Sequence, residues 1–307
     1  MANQPVRSIS LPSREHPCSV RIEALLNHLK SFQFSPSDVP HESEIVQSSL
    51  VGLAELYNCV EEFMNSPSTQ AALTPTNITK HGKIVEQALE GSITLLDTCN
   101  MAREVLMTMK EHVQALQSAL RIKGHGGDTS LESCIRAYLS FRKKAKKEIA
   151  KCLGGLKRME TNNITYSLPL DTLSQDLSTI VKILWETSSI TISVFRSLLK
   201  FLSMPTSCAT KANGWSLISK LMRTRLLSFE KEEKKNILNL VGNVDVSLQT
   251  LVGNLQGNEG RAHEVIKMAH KLLETVNLST ENLVAGLDCL FRCLVQNRVS
   301  LLNILTK

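Results

Sequence analysis

The sequence predicts an all-α fold, an antiparallel multi-helix bundle, on three observations. Of 307 residues, 42% are apolar but only 4% aromatic, and 45 are Leu; Leu favours helices, whereas a large β protein draws on aromatic and β-branched side chains. Gly and Pro number 14 and 9, too few for a collagen-like or low-complexity chain. Apolar residues recur at alternating spacings of four and three, the seam of packed helices, and no period-two strand pattern occurs.

Residues 1–18 (MANQPVRSISLPSREHPC) hold three prolines and no apolar period, so they read as a disordered tail. Residues 19–307 read as a single helical domain, because no linker is long enough to divide them. A short helix over about 19–33 carries Ile22, Leu25, Leu26, Leu29 and Phe32, and the Ser-Pro and Val-Pro steps at 35–40 end it. The second, about 42–65, has the seam Val46, Leu50, Leu53, Tyr57, Val60 and Met64. The third, about 77–122, runs through Cys99, Ala102, Leu106, Met109, Val113, Leu116 and Leu120 to a stop at GHGGD (124–128). A capping box of Thr129 with Glu132 opens the fourth, about 129–160. Its seam is Leu131, Ile135, Tyr138, Arg142, Ala145, Ile149, Cys152, Leu156 and Met159, with Arg142 alone out of character.

The fifth helix begins near Pro169–Asp171, stops before Pro205 and carries two apolar stripes. It should be the most deeply buried, with Leu184, Trp185, Phe195 and Leu198 inside, together with Leu294 near the C-terminus. A shorter helix starts at Trp215, KEEKK (231–235) marks a solvated face or kink, and Ile237–Leu255 forms another seam. GNEG (257–260) precedes a last pair, about 261–277 and 280–305, the latter opened by a Ser279/Thr280 cap.

Net charge is +6, from 35 Lys+Arg against 29 Asp+Glu, and it is concentrated. The segment Arg136–Arg158 holds nine basic residues and one acid, a sum of +8 that leaves −2 for the rest. The eight cysteines are scattered, with no Cys-x-x-Cys, and no apolar signal stretch opens the chain. Reduced, mostly buried cysteines in a cytoplasmic protein, or one nuclear or peripheral at membranes, follow from that pattern. The longest apolar stretch, Leu177–Met204, is interrupted by Lys182, Glu186, Arg196 and Lys200, so no transmembrane helix is expected.

Three stretches, RSISLPSREHP (7–17), LPLDTLSQDLSTIVKILWETSSITISVFRSLLKFLS (168–203) and GLDCLFRCLVQNRVSLLNIL (286–305), together resemble the plant Bypass-like family. NGWSLISKLM (213–222) extends the resemblance over nearly the whole chain. The resemblance implies an all-helical plant protein associated with root and shoot development. The family supplies no established active site, so it implies no functional residue.

Chemistry-bearing motifs are few. Cys289 and Cys293 with His263 and His270 have the residue types for zinc; the plainer reading, adopted here, packs the cysteines beside the leucine seam and leaves the histidines half-exposed. No nucleotide loop, His-Glu-x-x-His or nucleophile elbow occurs, so no enzyme and no cofactor is expected. The basic helix gathers Arg142, Lys143, Lys144, Lys146, Lys147 and Lys151 as a patch for an acidic protein or an anionic membrane surface, if it is more than a solvated face. Nucleic acid is disfavoured because no aromatic residue lies among the charges. KKAK (143–146) also fits a short nuclear-import pattern. In the tail, Arg7, Ser8, Ser10 and Pro12 match a phosphoserine motif read by 14-3-3 proteins, with Ser10 phosphorylated. The sequence thus points to a non-catalytic adaptor that works through other proteins, with peripheral docking on anionic lipid through residues 136–158 as the alternative.

Overall fold

The computed structural model describes residues 17–34, 42–73, 75–123, 128–165, 175–203, 239–254 and 259–306. These form helices α1 (Pro17–Phe34), α2 (Glu42–Met64), α3 (Pro67–Ala72), α4 (Pro75–Lys123), α5 (Asp128–Thr165), α6 (Gln175–Ser203), α7 (Leu240–Asn254) and α8 (Glu259–Leu305). No strand occurs among the described residues. The all-α reading therefore holds. The tail motif Arg7–Pro12, the helix expected at Trp215 and the KEEKK run lie outside the described residues; Pro17 and Cys18, assigned to the tail, already belong to α1.

The seams do what their spacing requires. Leu50, Leu53 and Val60 of α2, Cys99, Leu106 and Val113 of α4, Leu131 and Ile149 of α5, and Leu287, Leu290 and Leu294 of α8 are buried in one apolar cluster. α4 and α8 lie antiparallel, tied by the Arg103–Asp288 and Lys110–Glu281 ion pairs and by Arg298 Nη1 donating to Leu89 O at 2.5 Å. α2 runs parallel to α8: Cys293 faces Asn58, and Gln296 faces Glu61. The two pack closely at Gly286, where a Cβ would stand 3.3 Å from Leu50 Cβ. α6 packs on α1 through α5, and its inner residues Phe195, Leu198 and Leu199 are fully buried.

Three expectations are corrected. The last two helices are one: α8 runs unbroken through Ser279 and Thr280, and Thr280 is buried rather than capping. VNLST contains no Gly or Pro, so nothing stops the preceding helix and a Ser/Thr has no open amides to cap. Trp185 is 41% exposed, because α6 needs only one of its stripes to reach the neighbours it has at that end. α6 is described from Gln175, and the start expected near Pro169–Asp171 lies outside the described residues. α3 was not anticipated; Ser66 caps it, with Oγ accepting from Thr69 N at 3.4 Å and Pro67 in the first turn.

Candidate interaction surface and the buried cluster behind it

The seam of α5 fixes where its charges point. With Leu131, Ile135, Tyr138, Ala145, Ile149 and Leu156 buried, Lys143, Lys144, Lys147, Lys151, Lys157 and Arg158 are left exposed. Lys151 pairs with Glu148 on its own helix at 2.8 Å, a surface contact of little energetic weight. Among the described residues no carboxylate pairs with Lys143, Lys144, Lys147, Lys157 or Arg158.

Two members of the expected patch do not belong to it. Arg142 is buried: Nε donates to Asp245 Oδ1 at 3.0 Å and Oδ2 at 3.2 Å, and Nη1 donates to Leu202 O at 2.7 Å. Tyr138 OH donates to the same Asp245 Oδ1 at 2.9 Å, and Lys146 Nζ stands 3.6 Å from Oδ2. The reason is positional. Arg142 occupies a seam position, and a guanidinium there is tolerated only with a carboxylate and carbonyl acceptors in reach. It finds both where the C-terminus of α6, the negative end of the helix, meets α7. Asn239 completes the junction, donating Nδ2 to Phe201 O at 2.7 Å and accepting from Gly242 N at 2.9 Å, so one side chain caps the end of α6 and the start of α7.

Burial is the main influence on Tyr138 and Lys146. It pushes the Tyr138 phenol well above its ordinary value, and the neighbouring Asp245 charge pushes it the same way. Burial pushes the Lys146 ammonium down, against the attraction of Asp245. Arg142 was visible in the sequence as the one misfit of its seam. Its partner also left a signal: Asp245 is the only acid between Glu233 and Glu259, inside an apolar run.

A second surface feature escaped the sequence reading. On α4, Glu90, Asp97, Glu104 and Glu111 recur every seven residues and all are exposed. A seven-residue repeat keeps them on one ridge of the helix. Asn100 donates to Glu104 at 3.0 Å, and none of the four carboxylates makes an ion pair among the described residues. α4 and α5 are antiparallel neighbours: Met159 Cε lies where a Cβ on Gly91 would be (2.7 Å), and the His112 ring packs 5.1 Å from Phe141 and 6.5 Å from Tyr138. The acidic ridge of α4 thus runs beside the basic ridge of α5. The signal is the heptad spacing of acids, which net charge per segment conceals because the pattern exists only on one helix face.

A family model described as Protein BPS1 matches residues 49–304, most of the chain. The chain belongs to this plant family, the Bypass-like family. No curated protein and no solved structure matches it. Family membership suggests a role in plant development and carries no molecular activity with it. The match begins inside α2, so α1 and the phosphoserine motif of this BPS1-family chain fall outside it.

The zinc quartet does not assemble. Because α8 is continuous, Cys289 lies 19 residues beyond His270, about 28 Å along the axis, too far to share an ion. No cluster of three metal-ligating residues occurs among the described residues. Cys289 is exposed, contrary to the expected packing, while Cys293 is half-buried and directs Sγ to Asn58 Oδ1 at 3.4 Å. Burial raises the thiols of Cys59, Cys152 and Cys293, and pushes Cys99 up to about 12. Thiols held protonated in this way are poor nucleophiles. No described helix is long and apolar enough to cross a membrane.

Proposed function

We propose that this BPS1-family protein is a non-catalytic helical adaptor serving root and shoot development by binding other proteins, through the exposed face that α4 and α5 form. The observation that carries this reading is the juxtaposition of two ridges of opposite sign, Glu90, Asp97, Glu104 and Glu111 beside Lys143, Lys144, Lys147 and Lys151, of which only Lys151 makes an ion pair among the described residues. Such a face discriminates between protein surfaces by charge pattern. It suits a flat anionic lipid leaflet less well, since the acidic ridge is repelled wherever the basic ridge is attracted. Residues Arg7, Ser8, Ser10 and Pro12 would add a phosphorylation-dependent docking peptide for 14-3-3 proteins in the cytoplasm or nucleus.

The test is affinity capture from plant tissue alongside flotation on vesicles with and without phosphatidylserine. Protein capture lost on Lys143→Glu, Lys144→Glu and Lys147→Glu, with no lipid-dependent flotation, supports the adaptor. Flotation that needs phosphatidylserine and is lost in the same variant turns the reading over to a peripheral membrane protein.

A further inference from the structure

The two ridges match in spacing as well as in sign. On α4 the acids stand at 90, 97, 104 and 111; on α5 the bases Lys144, Lys151 and Arg158 stand seven apart, with Lys147 between the first two and Lys143 just before them. The register between the helices is fixed by Gly91 against Met159, Thr94 against Gly155 (a Cβ there would lie 3.9 Å from Thr94 Cγ2) and His112 against Phe141. That register puts Glu90 level with Arg158, Asp97 with Lys151, Glu104 with Lys144 and Lys147, and Glu111 with Lys143. Charges at one level within a chain sit side by side on the same outer face.

We infer that two copies of the chain pair face to face through α4 and α5 about a two-fold axis parallel to these helices, the acidic ridge of each copy lying on the basic ridge of the other. A rotation about such an axis exchanges α4 with α5 without changing level. Every acid then meets the base already level with it, and the contact is self-complementary as a two-fold interface requires. The same operation covers Ile93 and Met107, 46% and 41% exposed on the outer side of α4. The acidic ridge from 90 to 111 rises about 32 Å, and two helices are about 20 Å wide, which gives about 600 Å² per copy. That lies at the low end for specific pairs, so the dimer forms by mass action and separates on dilution. Salt weakens it, because exposed charges are screened beyond about 10 Å at 0.1 M ionic strength and about 3 Å at 1 M.

This inference rests on the reading of the α4/α5 face as a protein-docking surface, and the experiment separates the two. The mass of the full-length chain is followed by sedimentation over a dilution series, for wild type, for an acid-faced variant (Lys144→Glu, Lys147→Glu, Lys151→Glu) and for a base-faced variant (Asp97→Lys, Glu104→Lys, Glu111→Lys). Wild type is expected at the mass of two chains when concentrated. Each variant alone is expected at the mass of one, and an equimolar mixture at the mass of two again. All six positions are exposed, and circular dichroism checks that helicity is retained. If either reversal disrupts folding, the Gln versions at the same positions and the salt dependence of wild type replace it, with a weakened dimer expected in both. A wild-type monomer at every concentration, a dimer indifferent to both reversals and to salt, or a mixture that stays monomeric overturns the pairing. A monomer that still captures other proteins through α5 overturns it while leaving the docking face intact; a monomer that binds phosphatidylserine vesicles through α5 overturns both.

Discussion

Replacing Asp245 by Ala removes a carboxylate that serves three donors at once. Arg142 loses both Nε contacts, Tyr138 loses its acceptor, and Lys146 loses its counter-charge. Arg142 is 2% exposed and cannot turn to water without displacing the seam of α5, and its Nη2 already lacks a hydrogen-bond partner among the described residues. Stripping one partner from a buried ion pair costs about 3–5 kcal/mol. For 307 residues the unfolding entropy is about 0.64 kcal/mol/K, so the melting temperature should fall by about 5–8 °C. A melting curve by circular dichroism or calorimetry at neutral pH reads this directly. The double variant Arg142→Met with Asp245→Leu is the control, since it removes the charge along with its partner. It still forgoes the bond to Leu202 O, worth about 1 kcal/mol, and should therefore recover most but not all of the loss. A single variant melting within about 1 °C of wild type, or a double variant less stable than the single, refutes the view that Asp245 exists to neutralise Arg142.

Alkaline pH probes the buried phenols. Tyr57 and Tyr138 are both raised by burial, so above the ordinary tyrosine value of about 10 the unfolded chain releases protons that the folded chain retains. Their contribution is present below pH about 10 and is lost as pH rises toward the folded values, so the urea midpoint should drop between about pH 9 and 11; an equal drop in the Tyr57→Phe, Tyr138→Phe variant removes this explanation. In the core, Leu198→Ala should cost about 2–5 kcal/mol, and Trp185→Ala should cost less because Trp185 is 41% exposed; chemical denaturation ranks the two, and the reverse order sinks the packing scheme. A thiol reagent should modify exposed Cys289 long before Cys99, whose thiol is buried and donates to Leu287 O at 3.6 Å. Mass spectrometry after brief labelling checks this, and equal rates in the folded protein contradict it.

The fold was legible where burial alone decides. Leu50, Leu106, Ile149 and Leu290 recur at seam spacing, and burying such a seam needs no knowledge of which helix lies opposite. What was illegible needed the partner. Arg142 could be seen as foreign to its seam, but only the arrival of α7 shows that Asp245 waits for it. Trp185 looked buried because an apolar stripe marks what can be covered, while the neighbours determine what is. Thr280 carries a capping side chain with no helix start to cap, since the helix before it has no reason to end. The acidic ridge is invisible in the net charge, because a sum over residues averages away a pattern that exists only on one face. The phosphoserine motif at Ser10 rests on local sequence, and nothing in the folded helices bears on it.

The unbroken α8 also sets a length scale. Its 47 residues rise about 70 Å, whereas a sphere holding a chain of 307 residues would be about 50 Å across. A helix longer than that diameter must make the particle anisotropic, with a frictional ratio above that of a globule of equal mass. It also makes a spacer: whatever attaches near Val265 and whatever attaches near Leu302 are held apart by over half the helix, joined by a single hydrogen-bonded backbone. A pull or a load at one end is felt at the other without passing through any loop.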